Sequence, residues 1–265
     1  MSDGNAAFSP PRAATHGPGA GARLRLFCFP YAGAGASVYR AWSNVLAPEI
    51  EVVPVQLPGR EERIREAPLT RLAPLVELLA RELAPRLDVA FAFFGHSMGA
   101  LVGFELARRL RAEGRPTPER LFASGRRAPS VIDEGPPLHT LDDDALLEKV
   151  RGLGGTPEQI LQYPELLRFW LPILRADFEL CASYSDADDA TPLDCPVSAY
   201  GGLNDPHVSR DMLAAWRTHT RAPFNLRMFP GGHFFLHASQ RALLRAVVED
   251  SGVTTRGLCG GAVSV

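Results

Sequence analysis

Six short runs of β-branched, aromatic and other apolar residues constrain this chain most, because helical patterns separate most of them. The runs are Leu24–Phe29, Glu51–Gln56, Val89–Phe94, Arg120–Ser124, Val197–Tyr200 and Asn225–Phe229. Strands that alternate with helices form a parallel sheet that is covered by helices on both faces. The sequence therefore predicts an α/β fold with one central, mostly parallel sheet.

The helical patterns between these runs show apolar residues at helical spacing. They cover Val38–Leu46, Leu72–Leu87, Met98–Ala112, Ser209–Thr218 and Ser239–Glu249. Gly114 is a typical helix stop after the third pattern. We expect one domain over residues 23–250, between disordered tails at 1–22, rich in Ala, Gly and Pro, and at 251–265, rich in Gly, Ser and Thr.

Composition narrows the class of protein. Hydrophobic residues make up 46% and charged residues 22% of the chain, which are ordinary globular values. The 28 basic and 30 acidic residues are too balanced to indicate a nucleic-acid or anionic-membrane surface. No apolar run is long enough for a spanning helix, no secretory signal is evident, and the four cysteines are widely spaced. We expect a cytoplasmic protein with reduced thiols that binds no nucleic acid, membrane or metal.

One gap interrupts the alternation of strands and helices. Roughly 70 residues from Arg126 to Asp194 hold no convincing strand. Three helices are predicted there: one capped by Thr140 or Asp142 that runs through Val150, one that begins at Thr156-Pro157, and one over Pro164–Tyr184 with a kink at Pro172. The last helix is apolar around most of its circumference, so we expect apolar contacts on several sides. We interpret residues of about 130–194 as an inserted helical lid over an active site, and the alternative is that they complete the main core.

The segment Phe91–Gly103 carries the most informative chemical signal. An apolar strand leads into Gly95-His96-Ser97-Met98-Gly99, and a helical pattern follows at once. In a G-x-S-x-G turn the two glycines allow a tight strand-to-helix reversal, so that the serine hydroxyl projects from the carboxyl edge of the sheet beside a helix N-terminus. Ser97 is therefore the candidate nucleophile.

A serine nucleophile needs a base, and the base needs an acid that orients it. His233 follows the last predicted strand and Asp205 follows the penultimate one, so both leave the same edge of the sheet as Ser97. The order Ser, Asp, His along the chain is the one that α/β-hydrolases use. His237 is a rival base, although it falls where the last helix should begin. Polar surroundings indicate that three other histidines are solvated: His139, His207 and His219.

Backbone N–H groups are expected to stabilise the oxyanion of the tetrahedral intermediate. In this fold one belongs to the residue after the nucleophile, here Met98, and another to the loop after an early strand. That loop is Phe29–Gly35, and Ala32 is the candidate for the second donor. The glycine spacing of the loop matches neither G-x-G-x-x-G nor a P-loop, so we expect no nucleotide cofactor.

Seven segments follow one another in a recognisable order over about residues 23–249. They are Phe29–Gly33, Gln56–Glu61 with Arg63, Gly95–Gly99, Ser124–Pro129, Leu174–Asp177, Gly201–Pro206 and Gly231–Phe234. Together they resemble the type II thioesterases, the free-standing editing enzymes of polyketide and non-ribosomal peptide synthesis, to which the medium-chain thioesterases of fatty-acid synthesis are similar. The resemblance implies an α/β-hydrolase fold, with Ser97, Asp205 and His233 as the catalytic triad and Met98 and Ala32 as oxyanion donors.

The resemblance also implies a reaction and a partner. It implies hydrolysis of acyl thioesters on the phosphopantetheine arm of an acyl or peptidyl carrier protein, which clears stalled or misprimed units. We expect the enzyme to be a monomer and to need no cofactor. A medium-chain chain-releasing thioesterase, a carboxylesterase and a non-catalytic hydrolase-fold receptor are the alternatives. Four loop arginines are candidates for contact with the phosphopantetheine phosphate or with an acidic carrier protein, although such arginines are usually solvated: Arg60, Arg63, Arg126 and Arg127.

Overall fold

The central sheet has the predicted strands. The computed structural model describes residues 22–132, 135–154, 163–184 and 191–253. Its strands are β1 (Leu24–Phe29), β2 (Ile50–Pro54), β3 (Phe91–His96), β4 (Leu121–Ser124), β5 (Val197–Gly202) and β6 (Phe224–Phe229). They form one parallel sheet in the order β2-β1-β3-β4-β5-β6. The predicted parallel α/β sheet is confirmed, and the predicted strand ends lie within two residues of those observed.

Both faces of the sheet are buried, as a parallel sheet requires. Along β1, Leu24, Leu26 and Cys28 belong to the apolar cluster on one face, whereas Phe27 and Phe29 belong to the cluster on the other. This division follows from the two-residue period of a strand. The continuous apolar character of β1 in the sequence therefore reflects burial on two sides.

The described residues form eight α-helices. They are α1 (Ser43–Leu46), α2 (Leu72–Leu83), α3 (Met98–Ala112), α4 (Asp143–Leu153), α5 (Pro164–Ala182), α6 (Arg210–Ala214), α7 (Phe235–Ala238) and α8 (Gln240–Ser251). Residues of α2 and α3 pack on one face of the sheet and residues of α1 and α8 on the other. The bounds of α3 are the predicted ones, and Gly114 follows it with a φ of +64°.

Three predicted helices are partly 3-10 helices. The first, predicted over Val38–Leu46, is a 3-10 helix over Ala36–Trp42 that continues into α1. Tyr39 and Trp42, which are 0% and 1% exposed, lie three residues apart and share one side of a 3-10 helix. The predicted second and fourth helices end in 3-10 turns at Ala84–Arg86 and Ala215–His219.

The insertion between β4 and β5 contains two of the predicted helices. Asp142 caps α4 by accepting a hydrogen bond from the Ala145 N–H at 2.8 Å. Leu146 and Val150 of α4 and Leu174 of α5 form a buried cluster apart from the two clusters on the sheet. This separate cluster favours a cover over the site for α4 and the middle of α5, whereas Leu180 near the end of α5 belongs to a cluster on the sheet and completes the main core there. The helix predicted at Thr156-Pro157 lies outside the described residues.

The apolar surface of α5 is buried over only part of its length. Ile173, Leu174 and Leu180 are buried, whereas Leu166 is 47% and Phe169 is 70% exposed. The prediction of apolar contacts on several sides is therefore wrong for the first turns of α5, as far as the described residues show. Pro172 lies inside the helix, as predicted.

The fold extends slightly beyond the predicted domain. α8 continues through Ser251, Gly252 ends it with a φ of +70°, and Val253 packs against the buried cluster next to α8. The first three residues of the predicted tail at 251–265 thus belong to the fold. The rest of both predicted tails, residues 1–21 and 254–265, lies outside the described residues. Within the described ranges, no helix has the length and apolar character that a bilayer span needs.

Gly99 and Gly103 lie one turn apart on α3 and offer a matched pair of substitutions. A Cβ at Gly99 would lie 2.1 Å from the Phe29 carbonyl oxygen, whereas a Cβ at Gly103 would first meet a Leu121 methyl group at 3.3 Å. We expect Gly99→Ala to lower the free energy of unfolding by about 2 kcal/mol or more. Gly103→Ala should change it by less than about 1 kcal/mol. Urea unfolding followed by circular dichroism measures both, and equal stabilities would contradict the close approach at Gly99.

Candidate active site

Ser97 lies at the reversal between β3 and α3. Its backbone has a φ of 52° and a ψ of −114°, a conformation that residues other than glycine rarely adopt. The Ser97 N–H donates to the Ser124 carbonyl oxygen at 2.8 Å, which ties the reversal to β4. The Ser97 side chain is half-buried and lines a pocket at the carboxyl edge of the sheet.

Two glycines permit this reversal. A Cβ at Gly95 would lie 2.0 Å from the Gly99 carbonyl oxygen, and a Cβ at Gly99 would lie 2.1 Å from the Phe29 carbonyl oxygen. The end of β1 therefore passes directly beside the first turn of α3. This is the physical reason for the G-x-S-x-G spacing in the sequence.

Asp205 and His233 form a hydrogen-bonded pair. The His233 Nδ1–H donates to Asp205 Oδ2 at 2.7 Å, and the two side chains are 7% and 0% exposed. The other oxygen, Oδ1, accepts from the N–H groups of His207 at 2.9 Å and Val208 at 3.2 Å. With Nδ1 protonated in this way, the Nε2 lone pair is the basic site of the ring. His233 lines the same pocket as Ser97.

The contacts of Asp205 keep its carboxylate ionised. Burial opposes ionisation, but the hydrogen bond and charge of His233 and the backbone N–H groups of His207 and Val208 outweigh it. The pKa of Asp205 therefore lies below its ordinary value. An ionised carboxylate at Nδ1 favours a positive charge on the imidazole when Nε2 takes up a proton.

The loops that carry Asp205 and His233 contact each other. The Asn204 N–H donates to the Gly231 carbonyl oxygen at 2.9 Å, and a Cβ at Gly202 would lie 2.2 Å from the Gly232 carbonyl oxygen. β5 and β6 are parallel neighbours, so their loops leave the sheet side by side. The structure thus brings together the two residues that the sequence proposed as acid and base.

The rival base, His237, has a different partner. It lies on α7, and its Nε2 is 3.1 Å from the Tyr31 hydroxyl oxygen. The carboxylate of Asp205 faces His233 instead. The structure therefore favours His233 as the base.

His96 precedes Ser97 and is fully buried at the end of β3. Its Nδ1 lies 2.9 Å from the Ser124 hydroxyl oxygen, and its ring centroid is 5.2 Å from that of His233. Burial first, and the nearby charge of His233 second, hold the pKa of His96 well below the ordinary histidine range. His96 is therefore neutral and does not oppose a positive charge on His233.

The three histidines predicted to be solvated differ in exposure. His207 is exposed, His139 is half-buried, and His219 is only 3% exposed. The His219 ring lies against Phe104 and Trp216, at centroid distances of 5.4 and 5.7 Å. The prediction for His219 is wrong because its polar sequence neighbours do not reveal the aromatic rings that the fold places around it.

Met98 and Ala32 lie where N–H donors beside Ser97 are expected. Met98 is the first residue of α3, where an N–H has no acceptor within its own helix and lies at the positive end of the helix dipole. Ala32 lines the pocket with Ser97. Two other N–H groups of the same loop have protein acceptors, since Ala34 donates to Tyr31 and Gly33 to Asp177, and so does Ala36 directly after the loop, which donates to Gln56. The geometry favours Ala32 over these neighbours.

Two of the four candidate arginines are buried in ion pairs. Arg60 is 5% exposed and donates two hydrogen bonds to the Asp177 carboxylate, at 2.7 and 2.8 Å. Arg63 is 6% exposed and pairs with Glu66 and Glu82. The expected solvation is wrong for these two residues. Because carboxylates of the chain already bind their guanidinium groups, the structure also argues against their contact with a phosphate or an acidic carrier protein.

Arg126 and Arg127 follow β4 and are half-buried. Burial raises the pKa of the Cys181 thiol on α5, and the charges of both arginines partly offset this effect, so both lie near that thiol. Neither arginine lines the pocket around Ser97. Their contact with a phosphate or a carrier protein stays a prediction.

A cavity of about 230 Å³ opens at Ser97 and His233. Its apolar walls come mainly from α4, from α5 and from the residue after His233: Val150, Leu153, Trp170, Leu174, Phe178 and Phe234. Residues of the insertion therefore form part of the pocket wall beside Ser97 and His233, and the lid interpretation stays a prediction.

The sequence assigned no role to several side chains that contact the loop beside Ser97 or the residues that follow it. The Trp170 Nε1–H donates to the Gly33 carbonyl oxygen at 2.8 Å, and Glu61 accepts from the N–H and the hydroxyl of Ser37. Glu61 and Asp177 fall in two of the segments that carry the family resemblance, which was the one signal available for them. Trp170 falls in the apolar series of the last helix predicted in the insertion, which indicated packing or a place in an acyl channel but not this hydrogen bond.

The fold and the site define a class of protein. A parallel sheet carries a serine at the reversal between β3 and α3, and an aspartate and a histidine that are hydrogen-bonded to each other in the loops after β5 and β6. This is the arrangement of the α/β-hydrolases.

Comparison with known proteins gives the family. A family model described as a thioesterase domain matches residues 24–250. The gramicidin S biosynthesis protein GrsT of Aneurinibacillus migulanus is 47% identical over 229 residues, which are 86% of this chain and 89% of that protein. RedJ, a thioesterase from the prodiginine pathway of Streptomyces coelicolor, has a TM-score of 0.82 at 42% identity and covers 90% of this chain and 99% of its own. The type II thioesterase BorB from the borrelidin cluster has a TM-score of 0.79 at 39% identity, covering 86% and 92%.

The chain belongs to the thioesterase domain family. It is an enzyme that hydrolyses thioesters, and its α/β-hydrolase fold is confirmed by the solved structures it resembles. The similarity to type II thioesterases that the sequence motifs indicated is confirmed as well.

Substitutions at Ser97 test the strained turn. Ser97→Ala and Ser97→Gly both remove the hydroxyl, but only glycine adopts a φ of 52° without cost. The strain of a residue other than glycine in this conformation amounts to about 1–3 kcal/mol. Glycine avoids this strain, but it lowers the free energy of unfolding by about 0.4–1 kcal/mol because it gives the unfolded chain more conformational freedom. We expect Ser97→Gly to be more stable than Ser97→Ala by about 1 kcal/mol in urea unfolding. A lower stability of the glycine variant would contradict a strained backbone at this position.

Proposed function

We propose that this thioesterase removes aberrant or stalled acyl groups from the phosphopantetheine arm of carrier proteins in a non-ribosomal peptide or polyketide assembly line. The observation that carries the proposal is the 2.7 Å hydrogen bond between His233 and Asp205, in a pocket that His233 shares with Ser97. GrsT is named for gramicidin S biosynthesis, and RedJ for the prodiginine pathway. Both relatives support a role in the biosynthesis of such products.

Acylation of Ser97 is the first half of the proposed reaction. His233 Nε2 takes the hydroxyl proton while Ser97 Oγ attacks the thioester carbonyl carbon. The carbonyl oxygen becomes an oxyanion, which the N–H groups of Met98 and Ala32 stabilise. When the intermediate collapses, the carbon–sulfur bond breaks, and the carrier thiol leaves with the proton from His233.

Hydrolysis of the acyl-serine is the second half. His233 Nε2 removes a proton from water, and the resulting hydroxide attacks the ester carbonyl carbon. The carbonyl oxygen again becomes an oxyanion, which accepts hydrogen bonds from the same N–H groups. The proton returns to Ser97 Oγ as the free acid leaves. Asp205 keeps the imidazole oriented and stabilises its cation in both halves. The proposed reaction uses side chains, backbone and water, and it needs no cofactor.

The size of the cavity supports short acyl groups as substrates. Its volume of about 230 Å³ lies below the range of about 300–1,000 Å³ that is usual for pockets of drug-sized ligands. The walls are largely apolar, which suits an unfunctionalised alkyl chain. Short units such as acetyl or propionyl groups, which block a carrier protein when they are loaded wrongly, fit this space.

A single copy of the chain supplies the whole proposed site, so we propose that the enzyme acts as a monomer with one carrier protein at a time. The described cysteines Cys28, Cys181 and Cys195 are free thiols. Free thiols are typical of a reducing compartment, which supports action in the cytoplasm.

Ser97→Ala tests the proposed function on loaded carrier proteins. Without the hydroxyl no acyl-enzyme forms, so we expect kcat/KM for acetyl- and propionyl-loaded carrier protein to fall by about 10³-fold or more. Mass spectrometry of the released acid and of the unloaded carrier measures the reaction. Ser239→Ala is the matched control, because its hydroxyl donates to the Pro230 carbonyl oxygen and does not line the pocket.

Three outcomes would contradict the proposal. Wild-type activity in Ser97→Ala would refute the assignment of Ser97 as the nucleophile. A strong preference of the wild-type enzyme for matched oxygen esters over carrier thioesters would indicate a carboxylesterase. Acyl binding without turnover by the wild-type chain would indicate a receptor.

Phe178→Ala tests whether the insertion sets the acyl length. The Phe178 ring is part of the pocket wall on α5, and its removal deepens the cavity. We expect kcat/KM for a hexanoyl carrier relative to an acetyl carrier to rise by about tenfold, since each methylene group in such a pocket is worth about 1–3 kcal/mol. Phe169→Ala, on the same helix but 70% exposed, is the control and should leave the ratio unchanged. Equal ratios in both variants would show that this wall does not select chain length.

A further inference from the structure

The loop after β1 is held by α5. The Gly33 N–H donates to Asp177 Oδ2 at 2.8 Å, and the Gly33 carbonyl oxygen accepts from the Trp170 Nε1–H, also at 2.8 Å. Asp177 and Trp170 lie about two turns apart on α5. The helix therefore fixes both peptide groups that flank Gly33.

A third hydrogen bond fixes the peptide group that carries the Ala32 N–H. The Ala34 N–H donates to the Tyr31 carbonyl oxygen at 3.1 Å. Because a peptide unit is planar, the direction of the Tyr31 carbonyl determines the direction of the Ala32 N–H. Gly33 lies between these groups with a φ of +76°. The turn that aims the Ala32 N–H thus depends on how the two peptide groups of Gly33 are held.

Asp177 is itself fixed by Arg60. The two guanidinium nitrogens donate to the two carboxylate oxygens at 2.7 and 2.8 Å, and the side chains are 6% and 1% exposed. Arg60 also donates to the Ala34 carbonyl oxygen at 3.3 Å, within the same loop. A bidentate pair of this kind fixes geometry as well as charge. Asp177 Oδ2 therefore cannot turn away from the Gly33 N–H unless the hydrogen bonds between Asp177 and Arg60 break.

Stability alone does not account well for this buried pair. The cost of removing both charges from water offsets most of their attraction, so apolar residues of equal volume give similar or greater stability. The pair joins two segments that are 117 residues apart in sequence. It connects α5, the loop after β2 and the loop beside Ser97, which is the arrangement expected of groups that position a site.

We propose that Asp177 is a positioning residue of the thioesterase reaction, which together with Arg60 and through Gly33 orients the Ala32 N–H toward the oxyanion. The inference rests on the proposed function, because it takes Ala32 as an oxyanion donor. A donor is effective only when its N–H points at the developing negative charge. Loss of this orientation therefore lowers turnover more than it weakens substrate binding.

Asp177→Asn is the first test, because it keeps the shape of the side chain and removes the charge that binds Arg60. Removal of one oxyanion donor lowers kcat by about 10²–10³-fold in a serine hydrolase, so a misaimed donor should cost at least about tenfold. We expect that loss in kcat on an acetyl-loaded carrier protein, with KM within about twofold of wild type. An alkylboronic acid forms a tetrahedral adduct with Ser97. Its affinity for the Asp177→Asn variant should fall by the same factor by which kcat falls. A merely structural role would move neither value once rates are divided by the folded fraction.

Asp250→Asn is the matched control. Asp250 is also a buried aspartate, 6% exposed, and it accepts hydrogen bonds from the Tyr200 hydroxyl at 2.7 Å and from Arg227 at 2.5 Å. None of these three residues lines the pocket. We expect wild-type kcat per folded molecule and wild-type boronic acid affinity, whatever the loss of stability.

Arg60→Lys provides a second test if Asp177→Asn does not fold. It keeps the positive charge but not the two-pronged contact, so we expect the same joint loss of kcat and boronic acid affinity, by about threefold or more. Arg227→Lys is its control. Wild-type values in folded Asp177→Asn or Arg60→Lys, an equal loss in the controls, or a loss confined to KM would overturn the inference. Wild type and Ser97→Ala belong in the same assay, because activity in Ser97→Ala would instead refute the proposed function.

Discussion

Ser97 joins β3 to α3 with a φ of 52°, and the position of the whole site depends on this one reversal. The strained conformation persists because Gly95 and Gly99 let strand, helix and β1 approach to within contact distance. The reversal places the first N–H groups of α3 beside the serine, where they favour negative charge. It also brings the loop after Phe29 alongside, since Gly99 contacts the Phe29 carbonyl group. A side chain at either glycine would separate these elements.

The parts of the fold and site that the sequence predicted depend on local residues or on strand order. Apolar periodicity predicted the six strands and α3, and the glycine pattern predicted the reversal at Ser97. Asp205 and His233 were assigned because loops after neighbouring parallel strands must meet at one edge, and the structure pairs them at 2.7 Å. The 3-10 turn around Tyr39 and Trp42 was predicted as an α-helix because the spacing of two buried residues cannot distinguish the two.

The sequence failed where a side chain depends on partners distant along the chain. Local sequence favours solvent, a phosphate or an acidic carrier protein as the surroundings of Arg60, but Arg60 is buried against Asp177, 117 residues away. Arg63 likewise pairs with Glu82 on α2. No periodicity or local motif connects such residues. Only the resemblance of their segments to a family indicated that they matter, and that resemblance did not say what they contact.

The helix α5 divides into two parts with different surroundings. Its first turns expose Leu166 and Phe169, whereas its later turns bury Leu174 and Leu180 and hold Gly33 through Asp177. Thioesters carry a good leaving group, so in our proposal the main demand on the enzyme is a fixed geometry for the oxyanion rather than strong activation of the thiol. The buried part of α5 meets that demand because it is anchored by apolar contacts and by an ion pair at once. The first turns contribute as well, because Trp170, which directly follows the exposed Phe169, donates from Nε1 to the Gly33 carbonyl oxygen at 2.8 Å, so the two parts of α5 together hold both peptide groups of Gly33.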